Sequence, residues 1–85
     1  MEMKIQVPDY KPESGITLRW EGDFQIETRI NDGTIVIKAN RDGLISMANH
    51  LLNLSQDKIS CGYHIHYDSF SELEEGSCEL IIEKS

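Results

Sequence analysis

Phe24-Gln25-Ile26-Glu27-Thr28-Arg29-Ile30-Asn31-Asp32-Gly33-Thr34-Ile35-Val36-Ile37-Lys38-Ala39-Asn40 is the stretch that decides how this chain folds. Phe24, Ile26, Thr28 and Ile30 alternate with Gln25, Glu27, Arg29 and Asn31, the period of a half-buried strand. Asp32-Gly33 follows, between two alternating runs. A type I′ turn needs positive φ at both central positions, and Asp-Gly tolerates it, so the pair predicts a hairpin. Ile35 and Ile37 carry the partner strand. After Ala39 the period changes. Leu44, Met47, Ala48, Leu51, Leu52 and Ser55 follow helical spacing. Asn40 suits the N-cap, and Asp42 sits in the first turn near the positive end of the helix dipole. Gly43 reads as a mild cost inside that turn. The spacing predicts a helix over 41–56.

Upstream, Ile16, Leu18 and Trp20 alternate with Thr17, Arg19 and Glu21, which predicts another strand; Glu21-Gly22-Asp23 reads as a turn. Pro8 to Gly15 reads as a loop, and Met3, Ile5 and Val7 allow a further strand at the N-terminus. Downstream, strands are expected at 63–67 and 78–84. The order is β-β-β-α-β-β. One helix must then cover one face of an antiparallel sheet, a two-layer α+β fold in a single domain over 1–85. Ile16, Leu18, Trp20, Phe24, Ile26, Ile30, Ile35, Ile37, Ile65, Leu80 and Ile82 are expected to face the helix. Thr17, Arg19, Gln25, Glu27, Arg29, Thr34, Val36, Lys38, His64, His66 and Ile81 are expected on the open face.

Eighty-five residues, 39% of them hydrophobic, support one modest core. The formal charge of −7 argues against sequence-independent nucleic-acid binding, which needs Lys and Arg to neutralise phosphates. It suits solubility, or steering toward a basic protein. No segment approaches the roughly 20 apolar residues of a membrane helix. Met1-Glu2-Met3-Lys4 shows no basic region followed by an apolar run, so a cytoplasmic protein is expected.

Cys61-Gly62-Tyr63-His64-Ile65-His66-Tyr67-Asp68 is the most informative stretch for chemistry, with two histidines one residue apart. His64 and His66 share one strand face, about 7 Å apart. Asp68 continues that face, so a metal site of these three is one reading; zinc needs a third or fourth ligand. Solvent- or partner-facing histidines are the simpler reading. His50, alone on the helix with no nucleophile beside it, reads as structural or exposed. The acidic run Asp68, Glu72, Glu74 and Glu75 lacks the oxygen spacing of an EF-hand and reads as solvated loop or partner contact. If Tyr67 pairs near Cys78, Cys61 lies on the order of 17–20 Å away, beyond the limit of about 7 Å between bridged Cα atoms. The two cysteines are therefore expected to be unbonded.

From Trp20 to Lys84 the chain resembles the immunity protein 32 family of bacterial polymorphic toxin systems. The resemblance rests on Trp20-Glu21-Gly22-Asp23-Phe24, Ala39-Asn40-Arg41-Asp42-Gly43-Leu44-Ile45-Ser46, Asn49-His50-Leu51-Leu52, Gly62-Tyr63-His64-Ile65-His66, and Leu73-Glu74-Glu75-Gly76-Ser77-Cys78-Glu79-Leu80-Ile81-Ile82-Glu83-Lys84. It implies a non-catalytic domain, without cofactor, that binds and neutralises a cognate toxin domain such as a basic nuclease. Partner contact is expected at His64, His66, Asp68, Glu72, Glu74 and Glu75. The alternatives are a small histidine-based metal protein or enzyme, and a homo-oligomeric module pairing through its polar sheet face or a strand edge. Either a monomer or a homodimer fits the sequence.

Overall fold

The computed structural model describes all residues, 1–85. Five elements follow in the order β1 (Ile26–Asn31), β2 (Thr34–Ala39), α1 (Arg41–Leu54), β3 (His64–Tyr67) and β4 (Leu80–Glu83). The fold is α+β, with one helix and two small antiparallel sheets. β1 pairs with β2 from Ile26↔Ala39 to Asn31↔Thr34. Asp32 and Gly33 take φ of 49° and 80°, so the turn has the positive φ pair that Asp-Gly predicted. β3 pairs with β4 from His64↔Glu83 to Tyr67↔Leu80. Tyr67 thus lies opposite Leu80, two residues from the expected partner Cys78. Cys61 and Cys78 are both free thiols.

The two hairpins are stitched together by residues 74–78. Glu74 N–H donates to the Ile26 carbonyl and Cys78 N–H to the Thr28 carbonyl. Thr28 closes the seam: its N–H donates to Ser77 Oγ, and its hydroxyl donates to the Cys78 carbonyl. A step of two residues along β1, Ile26 to Thr28, therefore matches a step of four along the linking segment, Glu74 to Cys78. The excess is taken up by a turn, Ser77 N–H to the Glu74 carbonyl, with Gly76 at φ 87°.

Residues 16–20 do not form the expected strand, and neither do residues 1–7; an isolated bridge, Lys11↔Gly15, lies in the loop between them. The physical reason lies in the helix. Arg19 N–H donates to Asn49 Oδ1 and Glu21 N–H to Ser46 Oγ, while the Arg19 carbonyl accepts from the His50 ring. Side chains of α1 take the backbone groups that a sheet neighbour would otherwise satisfy. The segment is a strap laid across the helix, and its alternation still points Ile16, Leu18 and Trp20 at the core.

The core is Ile26, Met47, Leu54, Ile59, Ile65, Tyr67 and Leu73. Ile30, Ile35 and Ile37, expected to face the helix, are 66%, 69% and 41% exposed. The helix starts at the base of the β1–β2 hairpin, and the tip projects beyond it; Thr28 is the last buried residue of β1. Asn40 caps α1 by accepting from Gly43 N–H at 2.8 Å, and it also accepts from Gln25 N–H and donates to the Asp23 carbonyl. Gly43 is more than a tolerated cost. A Cβ there would stand 2.6 Å from the Gln25 carbonyl oxygen and 3.0 Å from Ile26. Only glycine lets the first turn meet β1 so closely.

Candidate functional site

The β3–β4 hairpin separates its side chains as strand alternation requires. Ile65 and Tyr67 are buried, whereas His64 and His66 are exposed opposite Glu83 and Ile81. His66 Nε2 lies 3.2 Å from Glu79 Oε1, both side chains being largely in solvent. Such an exposed pair contributes about 0–1 kcal/mol. His64 Nδ1 donates to the Gly62 carbonyl at 3.3 Å.

The acidic run divides into two parts. Asp68 and Glu72 are half-buried and build the loop. Asp68 Oδ1 accepts from Phe70 N–H at 2.9 Å and from Ser71 Oγ at 3.1 Å; Glu72 accepts from Asp68 N–H at 3.3 Å. Buried Leu73 pins the loop to the core. Glu74 and Glu75 are exposed on the turn around Gly76. Glu74 lines a shallow hollow with Gln25, Glu27, Lys38, Ala39 and Asn40. Carboxylates thus stand beside both hairpins: Glu79 and Glu83 next to His66 and His64, and Glu27 and Glu74 around the hollow with Lys38, where Lys38 and nearby Arg29 are the opposing cations. Arg29 is drawn to Glu27 at 3.7 Å. No group of three or more His, Cys, Asp or Glu side chains is placed to hold a metal ion; Asp68 is turned into its own loop and His66 toward Glu79.

His50 is fully buried and serves the core. Nε2 lies 2.8 Å from the Arg19 carbonyl, so this nitrogen carries the proton and donates. Nδ1 then accepts from the Tyr67 hydroxyl at 2.7 Å. Trp20 meets the imidazole edge-on, ring centres 4.3 Å apart. Burial pushes the His50 pKa below 6.5, opposed by the Arg19 carbonyl and the charge of Glu72. Burial, reinforced by Glu72, raises Tyr67 to about 12. Both groups are held neutral.

Sequence reading missed the belt to which His50 belongs. Ser46, Asn49, His50 and Asn53 are buried on α1, and Gln56 extends the row. Asn49 Nδ2 donates to the Gln6 carbonyl; Gln56 donates to the Pro8 carbonyl and accepts from Tyr10 N–H. The signal was present. From Gly43 to Gln56 the chain has no Lys, Arg, Asp or Glu, yet it has a row of hydroxyl, amide and imidazole groups at i, i+3, i+4 and i+7. The absence of charge made both sides of the helix candidates for burial, the polar row among them.

The protein is a small α+β domain whose hairpins expose His64, His66, Glu74, Glu75 and Glu79. Comparison with models of known protein families matches residues 34–85 to Immunity protein 32, and the chain belongs to that family. The match begins at β2, so the Trp20–Phe24 part of the resemblance lies outside it. No curated protein and no solved structure matches the chain.

Proposed function

We propose that the chain is a cytoplasmic immunity protein that binds a cognate toxin domain and blocks it stoichiometrically, without catalysis or cofactor. Family membership carries this reading. The toxin belongs to a polymorphic toxin system, and its binding surface is basic, as in a nuclease domain. The supporting observation is the exposure of Glu74, Glu75 and Glu79, with Glu79 Oε1 3.2 Å from His66 Nε2. The −7 charge of the chain speeds encounter with a cationic partner. Asp68 and Glu72 shape the loop that presents Glu74 and Glu75, and they meet the toxin at its rim.

The test is co-expression with the toxin encoded beside this chain, read as survival and co-purification. Reversing Glu74, Glu75 and Glu79 to lysine should slow association and flatten its salt dependence. The thermal midpoint should hardly move, since these side chains are exposed. Undiminished protection by the triple variant would remove the acidic surface from the binding site.

A further inference from the structure

The two edges of the β1–β2 hairpin are treated differently. Asn40 N–H donates to the Gln25 carbonyl, and from there the hydrogen-bonded pairs alternate toward the turn: Glu27↔Lys38, Arg29↔Val36 and Asn31↔Thr34. Ile26 and Thr28 of β1, and Ile35 and Ile37 of β2, therefore turn their backbone N–H and C=O groups away from the partner strand. On the β1 side these groups are met. Glu74 N–H and Cys78 N–H reach the Ile26 and Thr28 carbonyls, and Ser77 Oγ accepts from Thr28 N–H. On the β2 side nothing in the chain bonds to the backbone of Ile35 or Ile37.

The side chains leave that edge open as well. Ile35-Val36-Ile37 is an unbroken β-branched run. Ile35 and Ile37 are 69% and 41% exposed, on the face they share with Ile30. The register is continuous over all six pairs, so no bulge bends the strand away, and β2 contains no proline. Of the usual guards of an edge strand it has one lysine, Lys38, near the base of the hairpin. Donors and acceptors at strand spacing are matched by an extended backbone, and neither a helix nor a nucleic acid supplies one.

Two observations say whose backbone it is. A second copy would bring a further charge of −7 to the edge, whereas a cationic partner is drawn to it. The edge is also continuous with the acidic surface, because Lys38 and Ala39 of β2 share their shallow hollow with Glu27 and exposed Glu74. Resting on the toxin-binding reading above, we propose that the toxin domain adds a strand of its own to the free edge of β2. That strand exchanges hydrogen bonds with Ile35 and Ile37 and sets alternate apolar side chains beside theirs.

Hydrogen exchange, read by NMR on the full chain alone and in complex with the toxin domain encoded beside it, tests this. The Ile35 and Ile37 amides should exchange freely in the chain alone and slow by about a hundredfold or more in the complex. The Val36 amide, bonded to β1, should be protected in both. Ile35→Pro removes one outward N–H and leaves the β1 ladder intact, as proline does on the solvent side of an edge strand. It should weaken toxin binding roughly tenfold to a hundredfold, with the circular dichroism of the free chain unchanged. Ile35→Val keeps the N–H and should bind as the unaltered chain does. A complex in which both amides still exchange freely overturns strand addition and leaves the toxin-binding reading standing; absence of any complex ends both. Protection that appears in the chain alone and grows with its concentration gives the edge to a second copy and likewise overturns the proposal.

Discussion

The two sides of α1 depart from the usual arrangement. Beside the core residues Met47 and Leu54, the inward side carries Ser46, Asn49, His50 and Asn53, all 5% exposed or less, while Leu44, Leu51 and Leu52 face outward. The difference teaches that the inside of a protein is defined by what the neighbour needs. The neighbour here is the strap of residues 6–21, which belongs to no sheet and so has backbone donors and acceptors to satisfy. Hydrocarbon would leave those groups unpaired, whereas the Ser46, Asn49 and His50 side chains satisfy them, and Asn53 donates to Asn49.

The sharpest way to break this comparison is His50→Leu. A simple count of hydrophobicity favours the change. The structure predicts a loss of about 2–4 kcal/mol in urea unfolding, because the Arg19 carbonyl and Tyr67 hydroxyl both lose their partner. Equal or greater stability in the variant would mean that the polar belt is dispensable. Gly43→Ala tests the same side at its closest approach. Contact with the Gln25 carbonyl and Ile26 should cost roughly 1–2 kcal/mol net, after the gain in helix propensity. A stabilised variant would show that the first turn can back away from β1.

The pH dependence sharpens the comparison further. His50 has its pKa lowered by folding, so the unfolded chain binds the extra proton between the folded value and 6.5. Its contribution is full above pH 6.5 and is lost as pH falls through the lowered pKa, with a slope of at most about 1.4 kcal/mol per pH unit. His50→Gln should lack this portion of the acid limb. Tyr67 acts at the other end: raised to about 12, it contributes fully below pH 10 and loses that contribution as pH climbs toward 12. The smallest effect belongs to the outward side. Leu51→Gln should change monomer stability by no more than about 0.5 kcal/mol, measured by thermal melting at a concentration where the chain is monomeric. A larger loss would place Leu51 in the fold itself.

How far the sequence reached depends on the range of the signal. Asp32-Gly33 named its turn because the requirement for positive φ is local. Asn40 named the helix start because a cap acts within three residues. The alternation at 63–67 sent His64 and His66 outward correctly, since period two is a property of the strand. Residues 16–20 carried the same alternation and formed no strand, because a strand also needs a neighbour and the helix side chains took its backbone first. For the candidate surface, composition along the chain grouped Asp68, Glu72, Glu74 and Glu75. Their division into loop-building and exposed carboxylates depended on which oxygen met which N–H, and on the seam with β1 that throws Glu74 and Glu75 outward.

By itself, then, the sequence determined the elements whose causes are local: the hairpin turn, the capped helix, the alternating faces of β3 and the acidic balance. It also carried enough of the family's pattern from Thr34 onward to place the chain among the immunity proteins. Tertiary structure alone decided which side of α1 is the inside, that the N-terminal segment is a strap, and that Ile30, Ile35 and Ile37 stand in solvent. The physical reason is that periodicity specifies two faces without saying which one a neighbour will cover. That choice belongs to long-range hydrogen bonds such as Arg19 to Asn49 and His50, and these exist only once the chain has closed on itself.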